Sequence, residues 1–192
     1  MFEELLDFDC SCGRHHSLTT RICRVASGAA GDLPEVLAEL GIRRPLLVYD
    51  RNTYAAAEPV LREVLPEADS LVLEGDPVEP DETQAALVAE SAAGHDGLIA
   101  VGSGVISDLT RYAAFTEKLP LVVFPTAASV DGFASNSCAL HLHGGKVTLP
   151  ARAPDAVTLP PCRWSAQEFE AKPSTLAAVG KTTSGSFSVN AA

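Results

Sequence analysis

The sequence predicts an α/β domain in which a parallel sheet is covered by helices on both faces. Short apolar segments alternate with segments whose apolar residues repeat at helical spacing, and the loops between them are short. Strands buried on both faces of a parallel sheet are continuous apolar runs of this kind. Because ligands of such sheets bind at the carboxyl ends of the strands, the residues that directly follow each strand are the candidates for function.

The elements follow from apolar runs and from helix start and stop signals. The predicted strands are residues 22–25, 45–49, 71–73, 97–101 and 119–124. The predicted helices are residues 33–40, 55–65, 82–93 and 105–116. Asp32 and Asp81 are predicted N-caps, and Gly41 is a predicted helix end. We expect the first twenty residues to be irregular and a short β-hairpin to follow residue 135.

Composition excludes several classes of protein. The chain has 192 residues, of which 46% are hydrophobic, and its formal net charge is -11. This length supports one core and is marginal for two. The acidic charge disfavours nucleic acid and anionic membranes as partners. An odd count of five cysteines argues against a disulfide framework and favours a reduced, cytoplasmic setting. No signal peptide or membrane span is expected.

The loop Gly102-Ser103-Gly104 joins a predicted strand to a predicted helix. Glycines allow a sharp turn and a close approach of the backbone to a ligand, and the helix start that follows suits a pyrophosphate. The six-residue dinucleotide fingerprint is incomplete, because its third glycine falls at Ser107. A plain strand-to-helix turn is the alternative, and the tripeptide alone does not decide between the two.

Asp50, Asn52 and Thr53 follow the second predicted strand. A carboxylate at this place accepts hydrogen bonds from ribose hydroxyls and repels a 2′-phosphate, which favours NAD over NADP. The alternative is an N-cap for the following helix, a position that Asp, Asn and Thr all favour. The residues alone favour the cap.

The segment from Pro125 to Ser135 follows the last predicted strand and is rich in small and hydroxylated residues. Hydroxyls and backbone amides bind phosphate or carboxamide groups, and Asp131 is a candidate acceptor for a substrate hydroxyl. The alternative is a polar loop that hydrogen-bonds its own backbone. Its length favours a functional loop.

Three patterns resemble metal or phosphate sites and are disfavoured. Cys10, Cys12, His15 and His16 lack the C-x-x-C spacing and the second pair of a zinc site. His141 and His143 are expected on one face of a strand, where an exposed polar face is the better interpretation. The sequence 180–182 (Gly-Lys-Thr) lacks the earlier glycine of a phosphate-binding P-loop. We therefore predict no metal site.

Together the segments resemble the sn-glycerol-1-phosphate dehydrogenases, relatives of the iron-containing alcohol dehydrogenases and dehydroquinate synthase. The resemblance covers residues 8–157, and its most specific part is the loop 125–135. The matching segments are Phe8 to His16, Val48 to Thr53, Gly102 to Asp108, and Pro125 to Ser135. The resemblance implies a Rossmann-like fold and hydride transfer between NAD or NADP and a small phosphorylated substrate, dihydroxyacetone phosphate or sn-glycerol 1-phosphate.

The resemblance also assigns roles by position. Asp131 is expected to contact the substrate, Asp50 the adenosine ribose, and Gly102 to Ile106 the pyrophosphate. The full set of expected cofactor-binding residues is Asp50, Asn52, Gly102, Ser103, Gly104, Val105, Ile106, Asp108, Thr126, Ala127, Ala128, Ser129 and Ser135. Members of this family also hold zinc or another divalent metal that polarises the C2 oxygen.

The sequence departs from the family after residue 157. The family holds its metal with an aspartate and two histidines in a C-terminal helical domain, and no histidine follows His143. We therefore expect a nucleotide-binding domain over residues 1–157, an atypical tail over 158–192, and a truncated or frame-shifted dehydrogenase without identifiable catalytic residues. The alternative is a non-catalytic nucleotide-binding module or subunit. Homo-oligomerisation is possible, because a missing domain exposes apolar surface.

Overall fold

The structure is a computed structural model that describes residues 7–17, 19–126, 132 and 134–159. In chain order, the elements of the described part are β1 (Asp7–Asp9), β2 (His15–Ser17), β3 (Ile22–Val25), a short 3-10 helix (Ala29–Asp32), α1 (Leu33–Leu40), β4 (Pro45–Asp50), α2 (Arg51–Val64), β5 (Asp69–Leu73), α3 (Glu82–Ser91), β6 (Gly97–Val101), α4 (Val105–Thr116), β7 (Leu121–Phe124), β8 (Ser137–Leu142), β9 (Gly145–Pro150) and β10 (Ala156–Leu159).

The central sheet is parallel, with the strand order β3-β10-β7-β6-β4-β5 within the described residues. Each neighbouring pair runs in the same direction. The residues of β6 and β7 are all buried, as expected for strands covered on both faces. The predicted α/β fold with a parallel sheet is therefore confirmed.

Two layers of helices cover the sheet, one on each face. Alternate side chains of each central strand pack against opposite layers. In β4, Leu46 and Val48 face the layer of α3 and α4. Leu47 and Tyr49 face the layer of α1 and α2. The residues of β6 divide in the same way, because successive side chains of a strand point to opposite faces. The two layers make two apolar cores, one on each side of the sheet.

Several predicted element bounds hold. The strand β6 and the helix α4 have the predicted limits, and Gly41 ends α1 in the left-handed conformation with φ 73°. The carboxylate of Asp81 caps α3 by accepting a hydrogen bond from the N–H of Gln84 at 2.9 Å. Asp32 precedes α1 but makes no capping hydrogen bond with its side chain.

Other bounds are corrected. Helix α2 begins at Arg51 rather than at residue 55, because Asp50 ends the strand and caps the helix at once. Strand β5 begins two residues earlier than expected, and β7 two residues later. The region expected to be irregular at the N-terminus contains a small antiparallel hairpin, in which Phe8 faces His16 and Asp9 faces His15. Backbone hydrogen bonding makes this hairpin, and its polar residues give no apolar pattern to detect.

The hairpin expected after residue 135 is present as β8 and β9. His141 and His143 do not share a strand face as expected. His141 lies in β8 with Nδ1 3.4 Å from a carboxylate oxygen of Glu79, whereas His143 lies in the turn with φ 52° and contacts Glu82. The chain turns after Leu142, so the alternation of a strand does not reach His143.

The predicted domain boundary after residue 157 falls within β10, which pairs with β3 and β7. Most of the predicted tail, residues 160–192, lies outside the described residues. None of the helices in the described part of the chain has both the length and the apolar character needed to cross a bilayer.

Candidate functional site

The candidate site lies where the chain leaves two adjacent strands in opposite directions. Strands β4 and β6 are neighbours in the sheet. From β4 the chain continues into α2 on one face, and from β6 it continues into α4 on the other. A crevice opens at such a switch point, outside the carboxyl ends of the strands, and it is the usual ligand site of an open parallel sheet.

Asp50 forms one side of this crevice and caps α2. Its Oδ1 accepts the N–H of Thr53 at 2.7 Å, and its own N–H donates to Oγ1 of Thr53 at 2.9 Å. This reciprocal pair is a capping box, so the helix-cap interpretation of Asp50 is confirmed. The cap uses Oδ1, and Oδ2 makes no hydrogen bond to any residue that the structure describes. The cap thus occupies only one of the two carboxylate oxygens of Asp50.

The glycine loop forms the other side. Gly104 adopts φ 49° and ψ -112°, a conformation that strongly disfavours any L side chain. A Cβ at Gly104 would meet no atom within 4 Å, so it would project into the open space of the crevice. A Cβ at Gly102 would instead lie 3.0 Å from Cβ of Ile106. The first glycine lets the loop pack on the helix, and the second keeps the crevice clear.

The start of α4 is open to a ligand. No side chain caps it, in contrast to α2 and α3. Uncapped N–H groups and the positive end of the helix dipole favour an anion. The N–H of Gly102 donates to the carbonyl of Phe124 at 3.1 Å, which fixes the loop against the end of β7.

Two cavities meet at this loop. The smaller, of about 200 Å³, lies between Asp50, Asn52 and the segment Gly75 to Val78. The larger, of about 510 Å³, lies between the first turn of α4, Ser135 and the hairpin. Ser103 lines both cavities, so together they form an elongated path across the glycine loop.

The structure distributes the predicted cofactor residues along this path. Asp50, Asn52, Ser103 and Val105 line the smaller cavity. Ser103, Gly104, Asp108 and Ser135 line the larger one. Ile106 is buried, and its N–H donates to the carbonyl of Ser103 at 3.2 Å. Thr126 is partly buried directly after β7. The predicted positions Ala127, Ala128, Ser129 and Asp131 lie outside the described residues.

Arg111 is a buried residue of the site that the sequence analysis missed. Its Nη1 donates to the carbonyl of Ser137 and its Nη2 to that of Gly132, each at 2.7 Å. Its Nε finds no partner among the described residues. The side chain is 2% exposed, and it places a cation beside the larger cavity. The only sequence signal for a buried arginine was its position between the small residues Ser107 and Ala114 on the predicted helix.

Asp108 lies beside Arg111 and lines the larger cavity, and its contact with the cofactor stays a prediction. Burial raises its pKa, and the N–H of Ala139 and the charge of Arg111 oppose this effect only in part. Its contacts to both are long, at 3.4 Å. We assign Asp108 to the wall of the cavity, where it connects α4 to the hairpin.

A second set missed by the sequence analysis is the segment after β5. Gly75, Asp76 and Pro77 line the smaller cavity together with Asp50. The Asp76-Pro77 peptide bond is cis, and a Cβ at Gly75 would lie 2.9 Å from the carbonyl oxygen of Pro77. The segment reaches the site because β5 is the neighbour of β4 in the sheet.

Comparison with known proteins agrees with this geometry. The sequence model of the family described as iron-containing alcohol dehydrogenase matches residues 24–159, which include every strand of the central sheet except the first two residues of β3. The chain belongs to the iron-containing alcohol dehydrogenase family. The resemblance expected from the sequence is thereby confirmed at the level of the family.

Two similar members of the family come from Bacillus velezensis and Geobacillus stearothermophilus, and both are called glycerol-1-phosphate dehydrogenase (NAD(P)+). They are 34% and 35% identical over 69% and 77% of this chain. The chain spans only 36% and 39% of their lengths. Among solved structures of the family fold, NADH-dependent butanol dehydrogenase A from Thermotoga maritima superposes with a TM-score of 0.66 at 14% identity, over 75% of this chain and 43% of that one.

Proposed function

We propose that this chain binds NAD or NADP across its glycine loop, as the nucleotide-binding part of a glycerol-1-phosphate dehydrogenase. One observation carries the proposal: the cap residue Asp50 and the uncapped start of α4 line the same crevice at the switch point of the sheet. The names of the similar relatives supply the substrate class, glycerol 1-phosphate.

The shape of the site supports one orientation of the dinucleotide. The pyrophosphate lies on the N–H groups of α4, next to Gly104, because an anion is stabilised there. The adenosine ribose then lies in the smaller cavity, where Oδ2 of Asp50 accepts a hydrogen bond from a ribose hydroxyl. The nicotinamide extends toward the larger cavity. The negative charge of Asp50 repels a 2′-phosphate, so NAD is the preferred form.

The family metal does not fit the described residues. The resemblance calls for one aspartate and two histidines, whereas the only potential metal-ligand cluster in the described part of the chain consists of Cys10, Cys12 and His16. His141 and His143 lie on the hairpin beside Glu79 and Glu82. We therefore derive no catalytic step through a metal for these residues. The second candidate function is a nucleotide-binding module without turnover.

Nucleotide binding is tested by titrating the chain with NADH and following the nicotinamide fluorescence. The informative variant is Gly104→Val, which fills the crevice, and we expect it to weaken binding by about tenfold or more, or about 1.4 kcal/mol. The matched control is Gly94→Val. Gly94 also has a positive φ, 86°, and open space around it, but it precedes β6 at the opposite end of the sheet. The absence of saturable binding up to millimolar NADH contradicts the proposal, as does equal weakening by both variants.

The two candidate functions are separated by a turnover assay on the same preparation. NADH oxidation is measured with dihydroxyacetone phosphate as substrate and added Zn²⁺. Turnover well above the protein-free rate supports the dehydrogenase and refutes the module. Saturable NADH binding without turnover supports the module.

A further inference from the structure

The N-terminal hairpin brings together residues that are separated in sequence. The N–H of Cys10 donates to the carbonyl of Arg14 at 2.9 Å, and the N–H of Gly13 donates to the carbonyl of Cys10 at 3.0 Å. Gly13 has φ 79°, which glycine adopts without strain. This turn follows β1 directly and brings its own side chains beside those of β2.

Three soft or borderline metal-binding atoms converge at this turn. The sulfurs of Cys10 and Cys12 and a ring nitrogen of His16 all lie within 4.8 Å of one another. The shortest of these distances is between Sγ of Cys12 and Nε2 of His16, 3.2 Å. Ligand atoms around a tetrahedral zinc ion lie about 3.5 Å apart, given bond lengths near 2.3 Å to sulfur and 2.0 Å to nitrogen. Small side-chain rotations therefore suffice to enclose an ion.

Neighbouring groups hold two of the three ligands in place. The ring of His16 stacks on Phe8 with centroids 5.4 Å apart, and the N–H of Cys12 points at the sulfur of Cys10 from 3.5 Å. Cys10 is partly buried, whereas Cys12 and His16 are exposed. An ion can thus enter from solvent.

The adjacent histidine does not belong to the cluster. Successive residues of a strand point to opposite faces, and Nδ1 of His15 lies 2.9 Å from a carboxylate oxygen of Asp9. The backbone register agrees, since His15 faces Asp9 and His16 faces Phe8. His15 is therefore a matched control for His16.

We propose that Cys10, Cys12 and His16 form a binding site for Zn²⁺, in which water supplies the fourth ligand. Two thiolates and an imidazole suit zinc, whereas Mg²⁺ and Ca²⁺ require oxygen ligands. The spacing C-x-C-x₃-H disfavoured zinc in the sequence, because a second pair of ligands was missing. The hairpin supplies the third ligand from the opposite strand instead. Bound zinc joins the two strands, and a hairpin this short has little stability of its own.

The site is tested on the full chain, reduced with a phosphine and freed of metal. Co²⁺ serves as the spectroscopic probe and Zn²⁺ as its competitor. We expect one ion per chain and a thiolate-to-cobalt charge-transfer band that Zn²⁺ abolishes. Cys10→Ser and Cys12→Ser should each remove about half of the band, since each removes one of two thiolates. His16→Gln should weaken Zn²⁺ binding by about tenfold or more, because loss of groups that only support a ligand already has that effect.

Two control variants make the result decisive. His15→Gln and Cys23→Ser change the same residue types outside the cluster, and we expect both to bind Zn²⁺ like the unaltered chain. Circular dichroism checks that each variant retains the main domain. The proposal is overturned if the unaltered chain binds no Zn²⁺ at micromolar concentrations, if the band persists in the Cys10 and Cys12 variants, or if the controls lose as much affinity as the cluster variants. Because the assay requires no nucleotide, its outcome is independent of the proposed function.

Discussion

Replacing Arg111 with methionine is expected to destabilise the fold more than any exposed arginine would. Methionine keeps much of the apolar bulk of the arginine side chain but removes the two 2.7 Å hydrogen bonds to the carbonyls of Ser137 and Gly132. Hydrogen bonds to charged groups contribute about 1.5–3 kcal/mol each. The desolvated charge of Arg111 offsets part of this sum. We expect a net loss of about 2–4 kcal/mol in the free energy of unfolding.

The measurement is urea denaturation of the full chain, followed by far-UV circular dichroism. Arg43→Met is the control, because Arg43 is exposed and its substitution should change the unfolding free energy by no more than about 0.5 kcal/mol. A loss below about 1 kcal/mol for Arg111→Met would show that the two carbonyls do not depend on Arg111. It would also refute the argument that this side chain holds the hairpin against α4.

Three further predictions concern single groups. Burial raises the folded-state pKa of Asp108, so its charge opposes folding as pH rises above the ordinary carboxyl range. In denaturation experiments at several pH values, the Asp108→Asn variant should therefore be more stable than the unaltered chain between pH 4 and 7. A gain in stability confined to acidic pH would contradict this. The Asp50→Ala variant should have a free energy of unfolding about 1 kcal/mol lower than the unaltered chain, because it loses the cap of α2. Asp81→Ala removes the corresponding cap of α3 and should have an effect of the same size. Burial raises the pKa of Cys138 to about 11, so this thiol should react with a disulfide reagent only when the chain unfolds. The exposed thiol of Cys12 should react at once, and equal reaction rates of the two thiols would contradict the prediction.

The sequence predicted the central elements well where burial alone specifies them. Strand β6 and helix α4 could be delimited because a continuous apolar run and a helical repeat end at glycines and polar residues. Strand β5 was found only in part. It is an edge strand of the described sheet, so Asp69 and Ser70 remain exposed and interrupt the apolar run. An edge strand tolerates polar residues because one of its sides has no neighbour.

What the sequence could not predict depends on pairing between distant segments. Strand β10 has four residues and inserts between β3 and β7, far from both in sequence. The contacts of Arg111 with Gly132 and Ser137 likewise cross from α4 to a later loop and hairpin. The smaller cavity needs β5 beside β4, a strand order that residue periodicity does not give. Periodicity identifies the elements, and only their arrangement completes the site.

The two ends of the sheet use their polar groups differently, and this difference argues for the position of the ligand. At the amino ends of the strands, Asp155 binds the N–H of Leu121 and both branches of the Arg152 guanidinium, so both of its oxygens are occupied. Asp96 likewise accepts the N–H groups of residues 43 and 44 with both oxygens. At the carboxyl ends, α4 has no cap and Nε of Arg111 has no partner within the described residues. These two carboxylates at the amino ends are thus fully occupied by donors of the chain, whereas the uncapped start of α4 and Nε of Arg111 at the carboxyl ends are open to an anionic ligand.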